Sequence, residues 1–257
     1  MAEGSTVQVE IHDEVAVVTM ARGERGNALS PRLVEDLLEV LRRPDVVEER
    51  ALVLAGDGGF FSSGLDLLEL SDFGEARLLA FLDRLQGLLA TVYVWSRPVV
   101  AAVNGHAVAG GCLLALCADW RICQRDDVRI GLNEIRLGLP LPQAGLEIAR
   151  AELSPGAWAE VVYGGGLHGS EDAVRLGLAH EVCDSEELLS RAIDKARMWG
   201  QQSRVAFHRM KAGLRDRVLV KIRENHEAHQ REWVNLWFSP AAQNRLEKAS
   251  ERLRSKA

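Results

Sequence analysis

Arg97-Pro-Val-Val-Ala-Ala-Val-Asn-Gly-His-Ala-Val-Ala-Gly-Gly-Cys112 decides how this chain folds. Its first half, Pro98 to Val103, is a short apolar run without alternation, which reads as a strand covered on both faces. Asn104-Gly105 closes the run, and after Gly110-Gly111 the stretch Cys112 to Ala118 reads as a wholly buried helix. A second stretch has the same grammar. Ala51 to Ala55 is another short apolar run, closed by Gly56-Asp57-Gly58-Gly59, and Phe60 to Leu67 then leads into a helix. A helix from about Leu67 to Val94 joins the two strands into a βαβ arrangement. Both turns deliver small residues to a helix start, where the first amides lack intrahelical acceptors and carry the positive end of the helix dipole. Such amides can face an anion or a developing oxyanion, although glycines there also serve tight strand-to-helix packing. Neither turn has the spacing of a dinucleotide or P-loop motif.

Outward from this centre, Val7, Val9 and Ile11 alternate with polar residues, Val15 to Met20 is rich in β-branched residues, and His12-Asp13-Glu14 between them reads as a hairpin turn. Ser30-Pro31 supplies an N-cap and first helical position for a helix burying Leu33, Leu37, Leu38 and Leu41. Trp120 to Cys123 reads as a further strand. From Ser154 onward the pattern is helical, with starts at Ser154, Ser170 and Ser185 and two or three longer helices from about Gln201. Trp233, Trp237 and Phe238 in that tail read as packing or subunit-interface residues.

The 257 residues carry 31 Lys and Arg against 37 Asp and Glu, a net charge of −6, so the surface as a whole does not attract nucleic acid or anionic lipid. No run approaches the ~18 apolar residues of a membrane span. Cys112, Cys117, Cys123 and Cys183 form no C-x-x-C pair and have no His cluster at metal-ligand spacing, so no metal site is expected. With no secretory leader pattern in Met1 to Val9, the chain reads as intracellular, reduced and cytoplasmic.

The paired motifs, Gly56-Asp-Gly-Gly-Phe-Phe-Ser-Ser-Gly-Leu-Asp-Leu67 and residues 97–112, resemble those of the crotonase (enoyl-CoA hydratase/isomerase) family, and Gly177-Leu-Ala-His-Glu-Val182 is similar to a later family element. The resemblance implies an α/β, crotonase-like spiral of ββα units with a C-terminal helical trimerisation region, divided as a core at 1–195 and an oligomerisation region at 196–257. It implies an acyl-CoA thioester as substrate, no separate cofactor, and assembly as a homotrimer or dimer of trimers. It also implies an oxyanion hole made by the amides of Ser63 and Gly110, with Ala109 in place of the first Gly of a G-G-G run. Ala28, Leu29, Ser62, Gly64, Leu65, Asp66 and Leu67 would line the CoA moiety, and Arg22, Arg25 or Lys211 are candidates for its phosphates. The loop from Gly138 to Gly145 would border the acyl end.

Hydratases of the family use two glutamates. The first position is Leu113 here, which moves no proton; the second is Glu134, next to Asn133. A lone surface carboxylate would instead pair with Arg136. The stretch Ala109 to Ile122 followed by Ile130-Gly-Leu-Asn-Glu134 resembles Δ3,Δ2-enoyl-CoA isomerases, which implies a single Glu134 acting as proton shuttle between C2 and C4. An apolar neighbourhood would raise its pKa and leave it largely ionised at neutral pH. Hydration, thioester hydrolysis, decarboxylation and acyl-CoA binding without catalysis remain open alternatives. Asp66 reads as a helix N-cap, His106 as a structural hydrogen-bonder, and the Ser63 hydroxyl as a local partner of the backbone.

Overall fold

The computed structural model describes residues 5–255. In chain order these form β1 (Val7–His12), β2 (Val15–Met20), α1 (Pro31–Val40), α2 (Pro44–Val47), β3 (Ala51–Gly56), β4 (Phe60–Ser62), α3 (Leu67–Leu70), α4 (Glu75–Tyr93), β5 (Val99–Val103), β6 (His106–Val108), α5 (Gly110–Leu116), β7 (Trp120–Gln124), β8 (Ile130–Gly131), α6 (Gln143–Glu152), α7 (Pro155–Trp158), α8 (Ser170–Arg175), β9 (Glu181–Cys183), α9 (Ser185–Gly200), α10 (Arg204–Arg223), α11 (His226–Trp237) and α12 (Pro240–Arg254). A six-stranded sheet runs β1-β2-β3-β5-β7-β9, and a three-stranded sheet runs β4-β6-β8. Among the strand pairs of the described residues only β1–β2 is antiparallel. Asp13 and Glu14, both at positive φ, make its two-residue turn, the twist-matched hairpin geometry.

The topology is a repeated step: a long strand in the large sheet, a short strand in the small sheet, then a helix. β3-β4-α3/α4, β5-β6-α5 and β7-β8-α6 are three such steps. The runs without alternation are indeed covered on both faces. Leu52 and Leu54 of β3 join the main core, while Val53 and Ala55 join a second cluster closed by Leu188, Ala192, Ile193 and Ala196 of α9. Burying each such Leu or Ile contributes about 1.5–3 kcal/mol before entropy.

Two local expectations are corrected. The helix foreseen from Leu67 to Val94 is interrupted at Ser71 to Gly74, because Gly74 adopts extended backbone and restarts it as the N-cap of α4. The stretches around Phe60 and His106, taken as turns, contain strands of the small sheet, which Ile130–Gly131 completes; all three are too short to show a period.

The tail shares the main core through Val218, Ile222, Trp233, Val234, Trp237, Ala242 and Leu246. Trp233 and Trp237 stack at 5.5 Å, and Trp233 Nε1 donates to Pro140 O at 2.8 Å, so both are packing residues, whereas Phe238 is exposed. A buried charge cluster also ties the tail down. Asp119 accepts from Val99 N–H at 2.8 Å and pairs with Lys211 at 2.7 Å and Arg215 at 3.1 Å. Lys211 is therefore committed to the interior and is not a phosphate ligand. All four cysteines are free and buried. Among the described residues no helix is long and apolar enough to cross a membrane.

Candidate active site

The small sheet assembles the site. Its strands are parallel and in contact, with Ser62 opposite Ala107, Ala107 opposite Ile130 and Val108 opposite Gly131. Their carboxyl ends therefore bring Ser63 to Leu65, Ala109-Gly110 and Asn133-Glu134 to one edge, three segments far apart in sequence. The first two bends touch: a Cβ built on Gly64 (φ +88°) would lie 3.1 Å from Ala109 Cβ and 3.3 Å from Gly110 N.

Asn27 organises the first bend. It is fully buried at φ +48°, a conformation Asn tolerates better than most residues. Its side-chain amide donates to Asp57 O and Phe60 O, and its carbonyl accepts the Ser62 hydroxyl at 2.8 Å. Ser62 is thus a structural residue, and the local side-chain bond expected of Ser63 belongs to it. The Ser63 amide donates to Gly26 O at 2.9 Å, so it is not free to serve as the foreseen oxyanion donor. Leu29, also buried, donates to Gly64 O at 2.7 Å and accepts from Asp66 N–H at 3.3 Å. These two bonds form a parallel bridge to Leu65, whose own N–H makes no hydrogen bond among the described residues. In a parallel bridge the residue between the two bonds turns its own N–H to the opposite side. The first bend therefore offers the amide after Gly64, not the one before it.

Asp66 caps α3, its carboxylate accepting from Glu69 N–H at 3.3 Å, and it also pairs with Arg22 at 3.3 Å. Ala28 is buried with its carbonyl held by Arg22, and Leu67 is half-buried as the first residue of α3.

In the second bend Gly110 is the first residue of α5, and its N–H has no acceptor among the described residues. A Cβ on Gly111 would stand 2.2 Å from Ser62 O, so the close approach of β4 to α5 requires glycine there. Ala109 keeps the turn, but at φ +51°, ψ −119°, a region that costs a residue with a Cβ on the order of 1–3 kcal/mol. Ala109→Gly is expected to relieve that strain at a smaller entropic cost in the unfolded chain. The melting temperature should rise by roughly 2–4 °C, equivalent to about 1 kcal/mol for a chain of this size. Scanning calorimetry checks this, and an unchanged or lower value would contradict it.

Glu134 opens the single turn of 3₁₀ helix Glu134–Leu137 that follows β8. Its carboxylate is buried, has no ion pair with Arg136, and leaves Oε2 without a hydrogen-bond partner. Burial pushes its pKa up to about 7, higher than the sequence reading implied, so both protonation forms are populated at neutral pH. Its charge also helps raise the thiol of Cys112 on α5, after burial itself. Leu113 is buried against α6, where a Cβ on Gly145 would meet its side chain at 2.5 Å. Asn133 is half-buried, just ahead of the turn. His106 packs edge-on against Phe60 and its buried Nδ1 has no hydrogen-bond partner among the described residues. Among the described residues no cluster of His, Cys, Asp or Glu could hold a metal ion.

Comparison with known proteins gives this arrangement its context. Residues 10–249 match the family described as enoyl-CoA hydratase/isomerase. A protein of Thermus thermophilus named putative enoyl-CoA hydratase is 35% identical over 193 residues, 72% of this chain and 74% of that one. The crystal structure of human mitochondrial Δ3,Δ2-enoyl-CoA isomerase superposes with a TM-score of 0.89 at 27% identity, covering 98% of this chain and 99% of that one. An enoyl-CoA isomerase of Mycobacterium tuberculosis gives 0.81 at 29% identity, over 88% and 97% of the two chains. The α/β architecture described above is thus the crotonase fold.

Proposed function

We propose, from the premise that this chain belongs to the enoyl-CoA hydratase/isomerase family, that it shifts the double bond of a 3-enoyl-CoA to the 2-position. The observation that carries the reading is the buried Glu134 carboxylate, on the turn that follows β8, with one oxygen unpartnered and an apolar Leu113 where a hydratase has its other glutamate. The Leu65 and Gly110 amides receive the thioester oxygen. Ionised Glu134 removes a proton from C2, and the C–H electron pair delocalises into the carbonyl as a dienolate. The protonated carboxyl then returns the proton to C4, the enolate collapses, and the double bond lies between C2 and C3. One group suffices because the proton leaves and returns on the same carboxyl. A pKa near 7 matches both halves of the task, since neither donor nor acceptor form is scarce.

Hydration is the second reading, favoured by the name of the Thermus relative. It needs a further group to hold or protonate water, and Leu113 supplies none. Purified protein given a 3-enoyl-CoA and, separately, a 2-enoyl-CoA distinguishes the two. Conjugation of the first without water addition to the second supports isomerisation; rapid hydration of the second overturns it.

The substrate is the acyl-CoA thioester itself, with no additional cofactor. We also place assembly as a trimer, or a pair of trimers, within this proposal. Met210 and Leu214, one helical turn apart on α10, are 63% and 83% exposed, an apolar pair that an isolated chain gains nothing by presenting to water. Leu214→Asp is expected to shift the molecular mass measured by light scattering toward a single chain, and an unchanged mass would place the interface elsewhere.

A further inference from the structure

We propose that Arg22 is the positioning residue of the first bend, setting the direction of the Leu65 amide without touching substrate. This rests on the reading that the Leu65 amide polarises the thioester carbonyl. One guanidinium nitrogen of Arg22 donates to Ala28 O at 2.9 Å and to Ser30 Oγ at 2.7 Å, and another reaches Asp66 Oδ2 at 3.3 Å. The residue's own backbone N–H is held by Asn27 Oδ1 at 2.8 Å. Between Ala28 and Ser30 lies Leu29, and its two backbone bonds, to Gly64 O and from Asp66 N–H, flank Leu65. The guanidinium therefore closes a ring: it grips both neighbours of the bridging residue and the far end of the segment that residue bridges.

The Arg22 side chain is 16% exposed and the Asp66 side chain 7%. Three of its five N–H directions are thus turned inward, on Ala28 O, Ser30 Oγ and Asp66. A planar fork can hold three acceptors in fixed directions; a lysine ammonium has the charge without the fork. Misplacing an oxyanion donor by a fraction of an ångström weakens it in the transition state far more than it alters binding of the rest of the ligand.

The test uses the full-length protein and its Arg22→Gln and Arg22→Lys variants. Three quantities are read: turnover with a 3-enoyl-CoA, the dissociation constant of a saturated acyl-CoA, and the infrared stretch of a ¹³C-labelled thioester carbonyl in the bound state. In the wild-type chain the stretch is lowered by the two amides. Arg22→Gln is expected to lose most of that lowering and about 10²-fold in kcat, with affinity within about threefold. Arg22→Lys, which preserves the charge next to Asp66 and is the safer variant for folding, is expected to fall between the two. A carbonyl stretch and kcat unchanged in both variants would overturn the proposal, leaving Arg22 a structural residue only. Affinity lost tens of fold with the stretch unchanged would also overturn it, in favour of a direct contact with the CoA phosphates. No lowering of the stretch even in the wild-type chain would remove the amide reading itself, and the role of Arg22 with it.

Discussion

Glu134→Gln is expected to lower turnover of a 3-enoyl-CoA by about 10²–10⁴-fold, the usual contribution of a positioned acid–base group, while acyl-CoA binding survives. The amide fills the same volume but cannot take the C2 proton. In the wild-type chain kcat should rise with pH through about 7 and level off, because only the ionised carboxylate starts the reaction. The stability signature has the opposite sign. Burial raises the folded-state pKa from 4.5 to about 7, so between these values the folded chain binds more protons than the unfolded one, and ionised Glu134 destabilises the fold progressively as pH rises. At 1.36 kcal/mol per unit, the variant should gain roughly 3 kcal/mol over wild type on going from pH 4 to pH 8. Rate–pH profiles and urea denaturation at the two pH values check both halves. A variant with wild-type turnover would mean the base has been assigned to the wrong residue.

The second large effect concerns a main-chain atom. Replacing the amide of Leu65 with an ester, by incorporating the corresponding hydroxy acid, deletes one N–H and little else. Turnover is expected to drop about 10²–10³-fold, as for loss of one oxyanion-hole donor. The same exchange at Ser63 removes the bond to Gly26 O and should cost about 1 kcal/mol of stability with turnover within a few-fold. The contrast decides between the first bend's two candidate donors: a large loss at Ser63 and none at Leu65 would restore the reading made from sequence.

That pair of residues shows where sequence stops being legible. Strands β3 and β5 of the large sheet were readable because five unbroken apolar residues fit few other structures, as in Val99–Val103, whereas the three-residue β9 went unread. Ser30 and Pro31 announced α1 by capping chemistry, and the Ser30 hydroxyl does accept from Leu33 N–H at 3.2 Å. Glu134 was singled out by its motif, and an apolar neighbourhood was expected for it, but nothing near it in sequence says that the 3₁₀ turn buries it. Which amide of Ser63-Gly64-Leu65 stays free depends on Gly26 and Leu29 crossing beside it, a long-range pairing with no local trace. For the same reason Asn27 went unread and Arg22 was taken only as a candidate for the CoA phosphates. The available signal was an Asn just before an Ser-Pro helix start, a residue suited to a positive φ that proved to organise the bend.

The charge cluster around Asp119 has a consequence for how the chain is born. Asp119 stands at the head of β7, but the cations that neutralise it, Lys211 and Arg215, lie on α10 and leave the ribosome much later. A buried carboxylate stripped of its partners costs roughly 3–5 kcal/mol, more than one extra backbone bond to Val99 returns. A nascent chain ending at Gln201 would therefore keep Asp119 hydrated and the junction of β5 and β7 unlocked. Closure of that junction then waits on α10, a helix whose surface also carries the apolar pair Met210 and Leu214.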